Sequence, residues 1–171
     1  MDAKNDRRRA YALREKMIAM SPPLVLVAED DADVRRVVAT ALRVDGYSVI
    51  EAKDGADLIE HIGSALLFGN VRGELDPIAL VISDIRMPGR DGLEILGQLR
   101  RSEIGVAVIL MTAYPDPALR RRAESLGADA FLRKPFKIDH LRSLVREILA
   151  PLSAPSVALA GGLAASSDGN A

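Results

Sequence analysis

The sequence contains no cysteine, no large excess of either charge and no long apolar run. Without cysteine the chain can form neither disulfides nor thiolate zinc sites, and it offers no thiol nucleophile. This absence fits a reducing cytoplasm, which is where we expect the protein. The chain has 23 basic and 24 acidic residues, and the net charge of −1 predicts no general attraction to nucleic acid or to a membrane surface. Because no segment reaches the roughly 18 consecutive apolar residues of a membrane span, no membrane insertion is expected either.

The composition indicates one globular domain with a short segment on each side. Of the 171 residues, 49% are hydrophobic and 27% are charged, close to the averages of about 45–50% and about 25% for globular proteins. Residues 1–21 form a basic N-terminal extension whose apolar spacing favours a short helix, ended by Pro22 and Pro23. Residues 151–171 are rich in Ala, Ser, Gly and Pro and predict a flexible tail. Residues 22–150 remain as the folded domain.

Within this domain, short apolar runs alternate with segments of helical periodicity. The apolar runs are typical of buried strands and cover residues 24–28, 47–50, 78–82, 106–111 and 130–132. The helical segments cover residues 34–42, 58–66, 93–100, 118–126 and 138–148. We expect Gly127 to end the fourth helix and Pro151 the fifth. Strands that are each followed by a helix predict a parallel sheet covered on both faces, which is a doubly wound α/β domain.

Polar residues follow four of the five predicted strands, at the edge where open α/β sheets bind their ligands. They are Glu29, Asp30 and Asp31 after the first strand, Asp84 after the third, Thr112 at the end of the fourth and Lys134 after the fifth. Crowded carboxylates repel each other unless a cation lies between them, and an all-oxygen set suits Mg²⁺. A further carboxylate could then attack phosphorus, while Lys134 neutralises the developing charge and Thr112 binds a phosphoryl oxygen. These residues therefore favour a metal-assisted acyl-phosphate site.

Each of these residues has a simpler structural explanation when it is taken alone. Asp30 or Asp31 could cap the first helix, and we expect one of them to do so. An aspartate after a strand is most often a turn residue, Thr112 is an ordinary strand residue, and Lys134 is an ordinary surface lysine. Only their joint placement at the strand ends favours the functional interpretation.

Four motifs in the expected order make residues 24–149 similar to a known family. They are VLVAEDD at 25–31, SDIRMPGRDG at 83–92, LMTA at 110–113 and GADAFLRKPF at 127–136. With these motifs the chain resembles the receiver domain of bacterial two-component response regulators. The resemblance implies a flavodoxin-like fold with five parallel strands in the order 2-1-3-4-5. The segment between Asp30 and Asp84 is longer than usual for the family, and we place the excess in a surface loop at residues 68–76.

The resemblance assigns Asp84 as the phosphoryl acceptor and Lys134 as the lysine that binds the phosphoryl group. Glu29, Asp30 and Asp84, together with the backbone carbonyl of Arg86, are implied as ligands of Mg²⁺ or Mn²⁺. Glu29 stands where the family more often has Asp, and we expect its longer side chain to reach the metal through water.

The resemblance also implies a switch. Thr112 would move toward the phosphoryl group, and Phe131 would then swing inward to fill the space that Thr112 leaves. The family often has Tyr at this position. Because Phe131 has no hydroxyl, the change in this chain must depend on packing alone. The surface that partners recognise would comprise the fourth helix, the fifth strand and the fifth helix.

Two further residues are expected to tune the lifetime of the phosphoryl group. Arg86 and Tyr114 lie two positions beyond Asp84 and Thr112, where the resemblance places side chains beside the attacking water. We expect both to slow hydrolysis. Alternatively, Tyr114 only packs against the loop at Pro115.

The implied function is that of a single-domain response regulator. It would accept a phosphoryl group from a sensor histidine kinase and bind a downstream protein, as a monomer or as a homodimer through the same surface. Because the chain ends soon after the last predicted helix, we expect no separate output domain and no enzymatic activity beyond its own phosphorylation and slow autodephosphorylation. Two alternatives stay open, a relay intermediate that passes the phosphoryl group to a histidine phosphotransferase and a non-phosphorylated interaction module. A hydrolase is disfavoured because the chain leaves no room for a cap domain.

Two arginine clusters and two histidines have no assigned role. The cluster at residues 120–122 indicates either a solvated helix face or a docking site for an acidic partner. The cluster at residues 7–9 lacks a helix-turn-helix pattern and interleaved aromatics, so direct DNA binding is not expected. His61 and His140 stand alone on helices without the spacing of metal ligands.

Overall fold

Five parallel strands form one sheet in the order β2-β1-β3-β4-β5. The structure is a computed structural model that describes residues 22–72, 78–102 and 104–153. The strands are β1 (Leu24–Ala28), β2 (Ser48–Ala52), β3 (Ile78–Asp84), β4 (Ala107–Thr112) and β5 (Ala130–Arg133). The predicted strand order and fold class are confirmed. The predicted N-terminal extension and the predicted tail beyond residue 153 lie outside the described residues.

Each strand is followed by a helix. In the described part of the chain these are α1 (Ala32–Val44), α2 (Gly55–Arg72), α3 (Gly92–Arg101), α4 (Pro117–Ser125) and α5 (Ile138–Ser153). Side chains alternate across a strand, so Leu26 of β1 packs with α2, α3 and α4 on one face. Val25 and Val27 pack with α1 and α5 on the other face. The continuous apolar runs of the sequence are thus explained by burial on both sides of the sheet.

Aspartate side chains fix the start of three helices near the carboxyl end of the sheet. Asp31 accepts hydrogen bonds from the backbone N–H groups of Asp33 and Val34, at 2.9 and 3.1 Å. Asp91 and Asp116 cap α3 and α4 in the same way. The prediction that one of the two aspartates after β1 caps α1 is therefore confirmed, and the capping residue is Asp31.

The ends of two helices differ from the sequence prediction. Residues 68–72 belong to α2, so the predicted surface loop is wrong for this part, and residues 73–77 lie outside the described residues. Gly69 costs a helix only about 1 kcal/mol relative to alanine, which is too little to end a helix with a continuing apolar repeat. Similarly, α5 does not stop at Pro151 but continues to Ser153. Near a helix end, proline removes a single backbone hydrogen bond.

The expected end of α4 is confirmed. Gly127 directly follows the last residues of the helix with a φ of 81°, a left-handed conformation that glycine adopts at little cost. Its N–H donates to the Glu124 carbonyl at 3.0 Å.

In the part of the chain that the structure describes, no helix combines the length and apolarity needed to cross a membrane.

Candidate functional site

Three carboxylates meet at the carboxyl ends of β1 and β3. Glu29 and Asp30 follow β1, and Asp84 is the last residue of β3. Ligand oxygens of the three side chains all lie within 4.8 Å of one another. Glu29 and Asp84 are buried, with 1% and 7% of their surface exposed, whereas Asp30 is exposed. The cluster is therefore buried at Glu29 and Asp84 and open to water at Asp30.

The sheet register places these residues together. Ala28 of β1 pairs with Ser83 of β3, so the residues that follow in each strand leave the sheet side by side. The Glu29 backbone N–H donates to the Ala52 carbonyl at 3.1 Å, and Arg35 of α1 donates to the Glu29 carbonyl at 2.6 Å. Arg35 is a supporting residue that the sequence analysis did not identify, because only the packing of α1 on β1 brings it to this carbonyl.

Lys134 joins the buried carboxylates. Its Nζ atom lies 2.9 Å from Asp84 Oδ2 and 2.5 Å from Glu29 Oε2, and its side chain is 16% exposed. Burial acts to lower the pKa of the Lys134 ammonium, but its hydrogen bonds to Asp84 and Glu29 outweigh this and raise it. Lys134 is therefore a fixed positive charge at the centre of the site.

Glu29 is held in an unusual environment for a carboxylate. Burial raises the pKa of Glu29, and the Asp84 charge acts in the same direction, while Lys134 opposes both. A divalent cation beside Glu29 would likewise favour the ionised form. The donor set of Glu29, Asp30 and Asp84 is made of oxygens only and is open to water at Asp30, which fits the preference of Mg²⁺.

Asp31 does not share the chemistry of the cluster. Its carboxylate accepts the α1 capping bonds from Val34 and Asp33, and these bonds hold the pKa of Asp31 below its usual value. The run of three acidic residues after β1 is thus divided between the carboxylate cluster and helix capping.

Thr112 lies on β4, next to the strand of Asp84, and Phe131 lies on β5, one strand further along the sheet. Asp84 pairs with Met111 in β4, and Thr112 follows it in the strand. Thr112 is buried, and its hydroxyl accepts a hydrogen bond from the Tyr114 N–H at 3.1 Å. Phe131 of β5 pairs with Leu110, is half-buried and packs against the core on the α2–α4 side of the sheet.

Arg86 and Tyr114 form a contact above the ends of these strands. The Arg86 guanidinium carbon lies 4.9 Å from the centre of the Tyr114 ring, a cation–π distance. Tyr114 is 65% exposed, and its ring lies against the Arg86 side chain. The two sequence positions expected to tune the site are therefore in direct contact with each other.

Gly92 is a structural residue of the site, and its role became evident only from the packing of α3 on β3. A Cβ atom at Gly92 would lie 2.4 Å from the Asp84 carbonyl oxygen and 3.0 Å from Ser83 Oγ. The Gly92 N–H donates to the Ile85 carbonyl at 2.9 Å, which closes the loop between β3 and α3. The absence of a side chain at Gly92 lets α3 start directly against the strand that carries Asp84.

The histidines lie apart from this cluster. His61 Nε2 is 3.3 Å from Asp57 one helical turn away, and His140 is exposed on α5. Among the described residues, neither belongs to the group of side chains that could hold a metal.

Comparison with known proteins gives a consistent result. The family model of the response regulator receiver domain matches residues 25–146. The transcriptional regulatory protein PdtaR of Mycobacterium tuberculosis is 38% identical over 124 residues, which are 72% of this chain and 55% of that protein. The probable transcriptional regulator ycf27 of Porphyridium aerugineum is 33% identical over 130 residues, 76% of this chain and 49% of that protein. The chain thus spans about half the length of these two relatives.

Solved structures show the same similarity. The receiver domain of the Francisella response regulator 1452 matches with a TM-score of 0.66 and 27% identity, over 76% of this chain and 98% of that chain. The chemotaxis protein CheY4 of Vibrio cholerae matches with a TM-score of 0.62 and 25% identity, over 75% of this chain and 99% of that chain.

Proposed function

Because the chain belongs to the response regulator receiver domain family of two-component systems, we propose that Asp84 accepts a phosphoryl group from a phosphohistidine of a sensor histidine kinase. The position of Asp84 carries this proposal. Its carboxylate is buried at a strand end, lies 2.9 Å from the Lys134 ammonium and shares an acidic cluster with Glu29 and Asp30. Glu29 is also buried, in contact with Lys134 and part of this cluster, and the resemblance of the motif at residues 83–92 to the family assigns the acceptor role to Asp84.

In the proposed transfer, an Asp84 oxygen attacks the phosphorus atom in line with the bond to the imidazole nitrogen of the donor. The new oxygen–phosphorus bond forms as the nitrogen–phosphorus bond breaks, and the nitrogen leaves with the electron pair. The protein contributes position and charge rather than covalent chemistry. Lys134 already touches Asp84 Oδ2 and remains as the counter-charge of the phosphoryl oxygens.

Glu29, Asp30 and Asp84 would hold a Mg²⁺ or Mn²⁺ ion, with the backbone carbonyl of Arg86 as a further ligand. When bound, the ion neutralises negative charge on the phosphoryl oxygens. Lys134 donates a short hydrogen bond to Oε2 of Glu29, whereas Oε1 accepts a long hydrogen bond of 3.4 Å from the Asp31 N–H. Glu29 therefore has one oxygen that can face the ion or a water bound to it.

Thr112 and Phe131 would convert phosphorylation into a change of surface. The Thr112 hydroxyl now accepts a bond from the Tyr114 N–H, and it would turn to donate to a phosphoryl oxygen instead. Phe131 is half-buried and can move into the space that Thr112 leaves. Because Phe carries no hydroxyl, this step depends on packing alone. The affected surface would be that of α4, β5 and α5, used by a downstream protein or by a second copy of the chain.

In this proposal the chain is a signalling receiver and not an enzyme that acts on a separate substrate. It catalyses only its own phosphorylation and slow autodephosphorylation. The phosphoryl group could also be passed on to a histidine phosphotransferase, or the fold could serve as an interaction module without phosphorylation. These two alternatives are outcomes of the experiments below.

Intact-mass spectrometry after incubation with acetyl phosphate and Mg²⁺ tests the central step. We expect one phosphoryl group per chain, absent in Asp84→Asn and retained in Asp139→Asn, an exposed carboxylate on α5 used as the matched control. If a promptly quenched native sample carries no adduct, the proposal fails. An adduct that persists in Asp84→Asn would place phosphorylation elsewhere.

Phosphotransfer profiling with purified histidine kinases and phosphotransfer proteins then separates the alternatives. Rapid loss of label from the chain to an acceptor histidine supports the relay function. If Asp84→Asn binds a downstream partner as tightly as the phosphorylated native protein does, the chain works as an interaction module without phosphorylation.

A further inference from the structure

A groove of about 320 Å³ separates α3 from α4 and is distinct from the acidic site. It is lined by three arginines, Arg90, Arg101 and Arg122, by one acidic residue, Glu94, and by Leu93, Gly97, Gln98 and Leu126. The three arginines come from three places, namely the loop before α3, the last turn of α3 and α4. Positive charge from separate elements therefore converges on one groove.

These three guanidinium groups form no ion pair among the residues that the structure describes. Other arginines do: Arg100 pairs with Asp129, Arg120 with Glu124 and Arg142 with Asp45. The exposed side chains of Arg90, Arg101 and Arg122 are thus available to an incoming carboxylate, with which arginine forms strong bidentate hydrogen bonds.

The arginine cluster of α4 is divided by the structure. Arg120 is neutralised by Glu124 at 2.9 Å, Arg121 is exposed without lining the groove, and Arg122 lines it. The sequence could not distinguish these three positions. Consecutive side chains leave a helix in different directions, and of these three only Arg122 lines the groove beside α3.

The exposed lining of the groove is mainly polar, and its accessible apolar part is Leu126. Leu93 is buried and Leu126 is half-buried. At Gly97 an added Cβ atom would lie 3.3 Å from Arg101 Nη1 and 3.9 Å from Leu126 Cδ2. Gly97 is buried, and its lack of a side chain leaves room for the Arg101 guanidinium beside Leu126, where an aliphatic side chain of a partner could pack.

We propose that the groove between α3 and α4 binds an acidic, amphipathic segment of a partner protein. Its carboxylates would pair with Arg90, Arg101 and Arg122, and an aliphatic side chain would pack on the half-buried Leu126. Single-stranded nucleic acid fits less well, because it is usually bound on aromatic side chains and the groove lining has none. Glu94 also lines the groove. A peptide can place an uncharged residue opposite Glu94, whereas every nucleotide of a nucleic acid carries a phosphate. The inference goes beyond the proposed phosphorylation and does not depend on it.

Fluorescence anisotropy of the full, unphosphorylated chain without Mg²⁺ tests the proposal, with a labelled synthetic peptide of Glu and Leu as the probe. We expect saturable binding that Arg101→Glu and Arg122→Glu each weaken roughly tenfold. Arg121→Glu, the matched control on the same helix, should change it by no more than about twofold. A peptide with Ser in place of Leu should bind more weakly, because it cannot pack on Leu126. Amide signals of Gly97, Gln98 and Leu126 should shift on titration.

Several outcomes would overturn this inference. They are the lack of saturable binding, equal effects of Arg121→Glu and Arg122→Glu, equal binding of the Ser peptide, or signal shifts confined to other surfaces. If a single-stranded oligonucleotide of equal charge displaces the labelled peptide at a lower concentration than the unlabelled peptide does, the groove is a nucleic-acid site instead. Because the probe is tested without phosphorylation, none of these outcomes affects the Asp84 proposal, which the mass measurement decides separately.

Discussion

The Arg86 guanidinium stacks on the ring of Tyr114, with 4.9 Å between the guanidinium carbon and the ring centre. The pair connects the loop after Asp84 with the loop after Thr112. Each side chain alone is exposed, but together they can form a cover over the ends of β3 and β4. This contact gives the expected effect on phosphoryl lifetime a physical basis.

We predict that Tyr114→Ala speeds dephosphorylation of Asp84. An exposed cation–π contact contributes about 0.5–1 kcal/mol, so loss of the cover should raise the hydrolysis rate about two- to fivefold. The rate is measured by following the decay of the phosphorylated mass. Tyr114→Phe keeps the ring and serves as the control, with a rate close to that of the native chain. An unchanged rate in Tyr114→Ala would show that the ring does not hinder water.

A second prediction concerns the metal. Mg²⁺ should raise the free energy of unfolding of the native chain by about 2.7 kcal/mol at a hundred times its dissociation constant. Asp30→Asn should abolish most of this gain, and it should leave the metal-free stability nearly unchanged because Asp30 is exposed. Urea unfolding with Mg²⁺ and with a chelator measures both quantities. A full Mg²⁺ effect in Asp30→Asn would exclude this carboxylate as a ligand.

A third prediction concerns the start of α3. A Cβ atom at Gly92 would lie 2.4 Å from the backbone oxygen of Asp84, so Gly92→Ala must displace either the helix or the strand end. We expect a loss of roughly 1–3 kcal/mol in the free energy of unfolding, together with slower phosphorylation of Asp84.

Gly97→Ala provides the control for this substitution. Its nearest neighbour would be the flexible end of Arg101, at 3.3 Å, and alanine favours the helix by up to about 1 kcal/mol. Urea unfolding should therefore show a neutral or stabilising effect. If Gly92→Ala were equally well tolerated, the close approach of α3 to β3 would not be a constraint.

A fourth prediction concerns pH. The hydrogen bond from Arg142 holds the pKa of Asp45 below its usual value, and the pair ties the end of α1 to α5. A carboxylate whose pKa is lower in the folded state adds stability at pH values above its unfolded pKa of about 3.9. This added stability is lost as the pH falls through the folded pKa. The native chain should thus be more stable than Asp45→Asn at neutral pH, and this difference should vanish in acid.

Urea midpoints of the native chain and of Asp45→Asn, measured from neutral pH into acid, give the difference in stability between them. Asp139→Asn is the matched control, because Asp139 contacts the same Arg142 at 3.2 Å but its side chain is 83% exposed. We expect a smaller difference from the native chain for this control at every pH. A gap between native and Asp45→Asn that stays constant into acid would show that ionisation of Asp45 is not its cause.

The sequence by itself determined the alternation of strands and helices, because burial on both faces of a parallel sheet leaves continuous apolar runs that need no knowledge of partners. It also determined which residues stand at the strand ends, and the motifs around Asp84, Thr112 and Lys134 indicated the family. The strand order came from that resemblance, and the sheet confirms it.

Only the tertiary structure decided which of these side chains touch. It divided the acids after β1 between the cluster and a helix cap, placed Lys134 between Glu29 and Asp84 and stacked Arg86 on Tyr114. It also separated Arg122 from its two neighbours in the chain. The reason is that periodicity reports how far a residue is buried, whereas contacts between distant segments depend on strand register and helix packing, which no local pattern encodes.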